Sequence, residues 1–194
     1  VFVINLDRMP ERMASSSELM RRAGIPFERI SACDYQQMTM RDLARVIAPH
    51  PPRFAKRAVT PAEAACFLSH RTAWERIAAG RSPGAFVFED DFEFVPWIGD
   101  LLRDISKRPA SWDMLKLYSD KTKTLRHVEF LASGERLGVP RIIPMSTLAY
   151  AITRPAAAHL AQCSIPFGRP VDLYIKHWWE HGLYLINISE PTRL

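Results

Sequence analysis

The first 34 residues constrain the fold more than any other part of the chain. Val1–Leu6 (VFVINL) is β-rich and almost wholly apolar, the pattern of a strand buried on both faces. Asp7-Arg8-Met9-Pro10 breaks that run, and Pro10 suits the first turn of a helix, where its missing N–H costs nothing. The helix is expected to reach Gly24, where Gly-Ile-Pro supplies a stop. Phe27–Ala32 (FERISA) then alternates as a second strand, and Asp34 follows it. Strand, helix and strand in that order open an α/β sheet.

The remaining 160 or so residues extend this alternation. A short helix is expected around Met40–Ile47, then a Pro-rich, basic loop from Pro49 to Lys56. Thr60-Pro-Ala-Glu63 is the clearest helix start, because Thr60 and Glu63 can each satisfy the other's amide while Pro61 occupies the first turn. That helix should run to Gly80 with Cys66, Phe67, His70, Trp74 and Ile77 on one buried stripe flanked by Ala64 and Leu68. Further strands are expected at Ala85–Phe88, Asp113–Leu117, Thr147–Thr153 and Leu183–Ile188, with helices at Trp97–Lys107, Pro155–Cys163 and Val171–His181. Residues 119–145 form a polar excursion with hairpin strands around Leu125–Leu131 and Arg141–Ile143. The whole, residues 1–194, is expected to be one α/β domain with a mostly parallel central sheet flanked by helices.

Composition narrows the class of protein. Hydrophobic residues at 47% and charged residues at 24% are ordinary for a globular chain, and no apolar run approaches the roughly 20 residues of a membrane helix. The opening VFVINL turns charged at once, unlike a signal peptide, and the lack of an initiator Met implies a short preceding piece. Cys33, Cys66 and Cys163 are odd in number and widely spaced, which disfavours a disulfide framework and suits a reducing, cytoplasmic setting. The net charge of +5 is dispersed; it suits phosphate-bearing ligands or an anionic membrane surface. No aromatic-and-basic module for nucleic acid is present.

The stretch Gly84–Asp91 (GAFVFEDD) concentrates the chemistry. An apolar strand runs directly into Glu89, Asp90 and Asp91, and open α/β sheets bind ligands beyond the carboxyl ends of their strands. If the backbone stays extended, Glu89 and Asp91 project to one side and Asp90 to the other. Two carboxylates on one side suit Mg²⁺ or Mn²⁺, hard cations that share oxygen ligands with phosphates. A solvated turn with helix-capping acids is the competing explanation.

Seven segments in order resemble glycosyltransferase family 25, the lipopolysaccharide and collagen-type glycosyltransferases. They are VINLDRMPER (3–12), ISACD (30–34), TPAEAACFLSHRTAWERI (60–77), GAFVFEDDF (84–92), WDMLKL (112–117), LAYAIT (148–153) and PVDLY (170–174). The resemblance implies a GT-A-like, Rossmann-type fold and an inverting hexosyltransferase that moves a sugar, galactose foremost, from a UDP-sugar to a glycan hydroxyl. Lipid-linked acceptors of lipopolysaccharide or lipooligosaccharide synthesis are within that scope.

The acidic triplet then takes the place of an Asp-x-Asp element, with Asp91 and Glu89 as metal ligands. Donor contacts fall to Asn5, Arg8, Arg12, Asp34, Ser69, His70 and Asp90. Arg8 and Arg12 approach a helix start, a natural place for phosphate, although pairing with Asp7 and Glu11 would also account for them. A histidine beside Phe67 and Trp74 is equally well explained as a satisfied core residue. An attacking hydroxyl needs a base, for which Asp172 is the choice and Glu190 and His181 are weaker candidates. Asp172 would serve as well as a helix N-cap. Trp178 and Trp179 offer stacking surface for a sugar, with at least one expected in the core. The alternatives are a non-catalytic glycan- or partner-binding protein on the same fold, and another nucleotide-dependent α/β enzyme, which the missing GxGxxG loop disfavours.

Overall fold

The computed structural model describes residues 1–52, 55, 57–108, 111–117, 125–132 and 134–189. Strands β1 (Phe2–Asn5), β2 (Glu28–Ser31), β3 (Gly84–Glu89), β4 (Met114–Lys116), β5 (Leu125–Phe130), β6 (Arg136–Pro140), β7 (Ala149–Thr153) and β8 (Leu185–Ser189) form one sheet. Its order is β2-β1-β3-β7-β4-β8-β6-β5. β1 pairs in parallel with β2 and β3, and β4 with β8; β7 and β6 run against their neighbours. Six strands therefore point one way and two the other, the mixed sheet of a Rossmann-like fold.

The helices are α1 (Pro10–Arg22), α2 (Met40–Val46), α3 (Pro61–Ala79), α4 (Ile98–Lys107), α5 (Arg154–Cys163) and α6 (Val171–Lys176). Helices α3, α5 and α6 share one apolar cluster with Ile4, Val87, Met114 and Tyr150. Helices α1 and α4 share the other with Val3, Phe88, Leu115 and Ala149. Sequence neighbours thus enter opposite clusters, which is why the strands are apolar at successive positions rather than at alternate ones.

Helix α3 is the organising element. The Thr60–Glu63 capping box forms as expected, with the Thr60 amide donating to Glu63 Oε2 at 2.9 Å. Phe67 stacks on Phe167 at 3.9 Å and meets Trp74 and Tyr174 edge-on at 5.9 and 5.0 Å. Full burial of a side chain like Phe67 contributes about 1.5–3 kcal/mol. Gly84 opens β3 because a Cβ there would lie 2.5 Å from the carbonyl oxygen of Ile152.

Four local expectations are corrected. Cys66 is exposed at the edge of the α3 stripe, while Phe67, His70, Trp74 and Ile77 are buried. The second hairpin strand is Arg136–Pro140 rather than Arg141–Ile143, because β6 must register with β8 from Arg136 onward. The last helix stops at Lys176, where His177 leaves helical geometry, and a 3₁₀ turn covers Trp178–Glu180. Glu180 holds that turn by accepting from Arg169 at 2.5 Å and lying 3.0 Å from His177 Nδ1. Trp178 and Trp179 are consequently both exposed, 36% and 58%, and neither is core. Parts of the Pro49–Lys56 loop and of the 119–145 excursion, and Glu190, lie outside the described residues.

Candidate active site at the strand ends

The carboxyl ends of β1, β2 and β3 lie side by side, so Asn5, Ser31 and Glu89 share one edge of the sheet. The chain leaves β3 at Glu89 and turns through Asp90 and Asp91. That turn sends the three acids to different partners. Glu89 faces α3: its Oε1 lies 3.2 Å from His70 Nε2 and accepts from Thr147 Oγ1 at 2.5 Å. Asp90 faces α1: its side chain accepts from Asn5 Nδ2 at 2.6 Å and meets Arg12 at 2.6 Å, and its carbonyl accepts from Ser16 Oγ at 2.8 Å. Asp91 lies 3.0 Å from the same Arg12 guanidinium, and its side chain is 55% exposed.

Behind Glu89 stands a buried relay. His70 is 1% exposed and its Nδ1 lies 3.0 Å from Tyr150 Oη. That hydroxyl also accepts from Trp74 Nε1 at 3.0 Å. The Tyr150 hydroxyl thus bridges the Trp74 and His70 rings, and with Nδ1 held there His70 presents Nε2–H to Glu89. Burial by itself would lower the His70 pKa, but interactions with Tyr150, Cys66 and Glu89 outweigh it and raise it well above the ordinary value. Burial likewise opposes ionisation of Glu89, yet the His70 hydrogen bond and charge bring its carboxyl below the usual range. Asp91 moves the other way: partial burial, reinforced by the Glu89 charge, raises its pKa.

A second cluster borders the first. Arg8 Nε donates to Asp34 Oδ2 at 2.8 Å across a cavity of about 480 Å³ lined by Asp7, Ser31, Gln37 and Asp42 among others. Asp34 also accepts from the Gln36 amide at 3.0 Å, which shapes the turn after β2. Arg29 joins this cavity to the acidic turn, donating to the Asn5 side chain at 3.1 Å and to Asp7 at 2.5 Å. The Arg29 hydrogen bond, with that of Ser31, holds the Asp7 carboxyl low. Ser69 is 3% exposed, donates to the Ala65 carbonyl and accepts from the Cys33 amide at 2.9 Å, so it pins α3 to this wall. A larger cavity of about 890 Å³ opens at the opposite end of the sheet beside Gly84 and Thr153. Among the described residues no carboxylate lines it.

The structure thus brings Asn5, Arg12, Asp90 and Asp91 into one contact network, Arg8 and Asp34 into a neighbouring one, and His70 with Glu89 into a third. Neither arginine pairs with Asp7 or Glu11 among the described residues. Asp172 stands apart: it is the second residue of α6, not its N-cap, and accepts from the Leu173 amide at 2.7 Å. No hydrogen bond or ion pair among the described residues ties it to the acidic turn. His181 stacks on Tyr174 at 3.9 Å, away from the strand ends. Sequence reasoning did not single out Tyr150, Thr147, Arg29 and Ser16. Tyr150 had a signal, a hydroxyl inside the apolar strand LAYAIT that requires a buried partner.

A parallel strand edge that gathers carboxylates, guanidinium groups and a polar cavity is the place where proteins of the Rossmann-like class bind their ligands. The model of glycosyltransferase family 25 (LPS biosynthesis protein) matches residues 1–175, and the chain belongs to that family. It is 29% identical over 185 residues to a glycosyltransferase 25 family member of Aedes aegypti, covering 90% of this chain and 30% of that protein. An Anopheles gambiae member is 28% identical over a similar span. The inactive glycosyltransferase 25 family member 3 of Homo sapiens is 30% identical over 189 residues, 90% of this chain and 31% of that protein. The chain therefore spans about three-tenths of the length of these relatives. Among the described residues no helix is long and apolar enough to cross a membrane.

Proposed function

We propose that this chain is an inverting, metal-dependent transferase that moves a hexose, galactose foremost, from a UDP-sugar to a hydroxyl of a glycan acceptor. Lipopolysaccharide or lipooligosaccharide synthesis at the cytoplasmic face of the inner membrane is the setting proposed, with a lipid-linked acceptor and peripheral contact through the basic surface. The observation that carries the reading is the meeting of the Arg8–Asp34 cavity with the Glu89–Asp91 turn at one strand edge. Asp34, with Arg8 beside it, suits ribose or uracil groups, and Arg12 suits diphosphate.

The acidic turn fits a hard divalent cation. Asp91 is the most exposed carboxylate of the turn, and partial burial together with the Glu89 charge raises its pKa. Both contacts to Glu89 fall on Oε1, and Oε2 is a second hard oxygen donor. When bound, Mn²⁺ or Mg²⁺ supplies charge stabilisation for the departing diphosphate. Asn5 and Ser16 hold Asp90 in place, and His70 and Thr147 hold Glu89, so Asp91 approaches the ligand from a fixed turn. Asp172 is proposed to take the proton from the acceptor hydroxyl as it attacks.

A second reading, a non-catalytic binding protein, is favoured by the relatives named inactive. A panel of UDP-sugars, assayed for hydrolysis and transfer with and without Mn²⁺, separates the two. Metal-dependent turnover that Asp91→Ala abolishes supports the transferase. Calorimetry showing no UDP binding, with or without Mn²⁺, refutes it.

A further inference from the structure

Cys66 and His70 stand four residues apart on α3, hence on neighbouring turns of one face. Glu89 reaches the same point from the end of β3. The Cys66 sulfur, a His70 ring nitrogen and a Glu89 carboxylate oxygen all lie within 4.8 Å of one another. A tetrahedral zinc ion at ordinary bond lengths holds its ligand atoms about 3.3–3.8 Å apart. The His70–Glu89 pair, at 3.2 Å, lies just under this spacing, and the Cys66 sulfur lies within 4.8 Å of both.

The surroundings are those of an oriented ligand set. A metal-binding imidazole usually has its second nitrogen fixed by a hydrogen bond, which sets ring orientation and tautomer. Here Tyr150 holds Nδ1, and Trp74 holds Tyr150 in turn, which directs Nε2 at Glu89. Thr147 fixes the carboxylate in the same way. Sulfur and imidazole donors together select zinc-like ions over Mg²⁺, which prefers an all-oxygen set.

We propose that Cys66, His70 and Glu89 form a site for a borderline-soft divalent ion of the zinc class, with an open fourth position on the side of the exposed thiol. Its Cys66 and His70 donors distinguish this site from the hard-cation site proposed at Asp91, and the assignment does not depend on the transferase reading. Glu89 is common to both, which places a second ion's ligand at the base of the acidic turn.

The test uses the whole chain, stripped with a chelator and titrated with Co²⁺ as an optical probe and Zn²⁺ as competitor. One equivalent of Co²⁺ should give tetrahedral visible bands with a thiolate charge-transfer band, both displaced by Zn²⁺. Cys66→Ser, at an exposed position, should abolish the charge-transfer band and weaken Zn²⁺ at least tenfold. Tyr150→Phe should weaken it about 10- to 100-fold while keeping the band at saturation. Asp91→Ala and Cys163→Ser should keep both. Absence of a thiolate band, its survival in Cys66→Ser, or its loss in Asp91→Ala overturns the assignment. Circular dichroism of each variant identifies loss through misfolding, and Cys66→Ser, folded and still binding Co²⁺ as wild type does, overturns it too.

Discussion

Removing the Tyr150 hydroxyl tests the buried relay most directly. Tyr150 and Trp74 are both fully buried, so Tyr150→Phe leaves the Trp74 N–H, a donor with no other chemistry, without an acceptor. A buried donor stranded in this way costs about 1–3 kcal/mol. His70 Nδ1 loses its partner as well, which brings the expected loss to about 2–4 kcal/mol. Against a total of about 5–15 kcal/mol for a domain, that is a large displacement. The assay is the urea midpoint at constant m-value, which reports stability rather than altered compactness. The decisive comparison is a double-mutant cycle with Trp74→Phe. That variant alone loses ring volume and creates a cavity, but once the indole donor has gone, Tyr150→Phe strands one group fewer. The second substitution should therefore cost about 1–2 kcal/mol less in the Trp74→Phe background. Equal costs in both backgrounds, or a loss below about 0.5 kcal/mol for Tyr150→Phe alone, would show that the hydroxyl does not hold the two rings.

Three further outcomes are expected. The Arg57 hydrogen bond depresses the Glu63 pKa from its ordinary 4.5 to about 2, so its contribution to stability is complete above pH 4.5 and disappears as pH falls toward 2. Glu63→Gln should flatten the acid limb of a stability–pH curve; an unchanged slope would refute the linkage. Under the proposed function, Arg8→Ala should weaken UDP binding roughly tenfold or more, with little change in melting temperature, as read by calorimetry. Asp172→Asn should lower turnover by about 10²–10⁴ with UDP affinity unchanged, and a folded, fully active variant would remove it as the base.

Much of the fold was legible because its signals are local. The capping box at Thr60–Glu63, Pro10 at the start of α1 and the apolar strand ahead of Glu89 each dictate their own geometry from a few neighbouring residues. What failed was set at a distance. β6 lies where its pairing with β8 puts it, and nothing within residues 125–145 encodes that register. The end of α6 depends on Arg169 reaching Glu180 across eleven positions, a contact invisible to helical periodicity. The site divides along the same line. Its acids were legible from their place after a strand, whereas Tyr150 and Thr147 enter through β7 and the turn before it, brought beside β3 only by sheet order.

The acidic triplet shows how far such distant contacts reshape a short motif. Read as an extended chain, Glu89 and Asp91 would be twins on one side, equally placed for a cation. The turn at Asp90 ends the alternation, and each acid acquires the character of its own neighbours. Glu89 gains His70 and a lowered pKa; Asp90 gains Asn5 and Arg12 and becomes a strut between β1, β3 and α1; Asp91 keeps a single guanidinium contact and a raised pKa. Three like charges in sequence therefore do not add to one field. Two are held by partners of their own, Glu89 by buried His70 and Asp90 by buried Asn5 and partly exposed Arg12, which fixes the turn; the third is left exposed at its tip, so the rigidity of Glu89 and Asp90 is what gives Asp91 a defined position from which to bind.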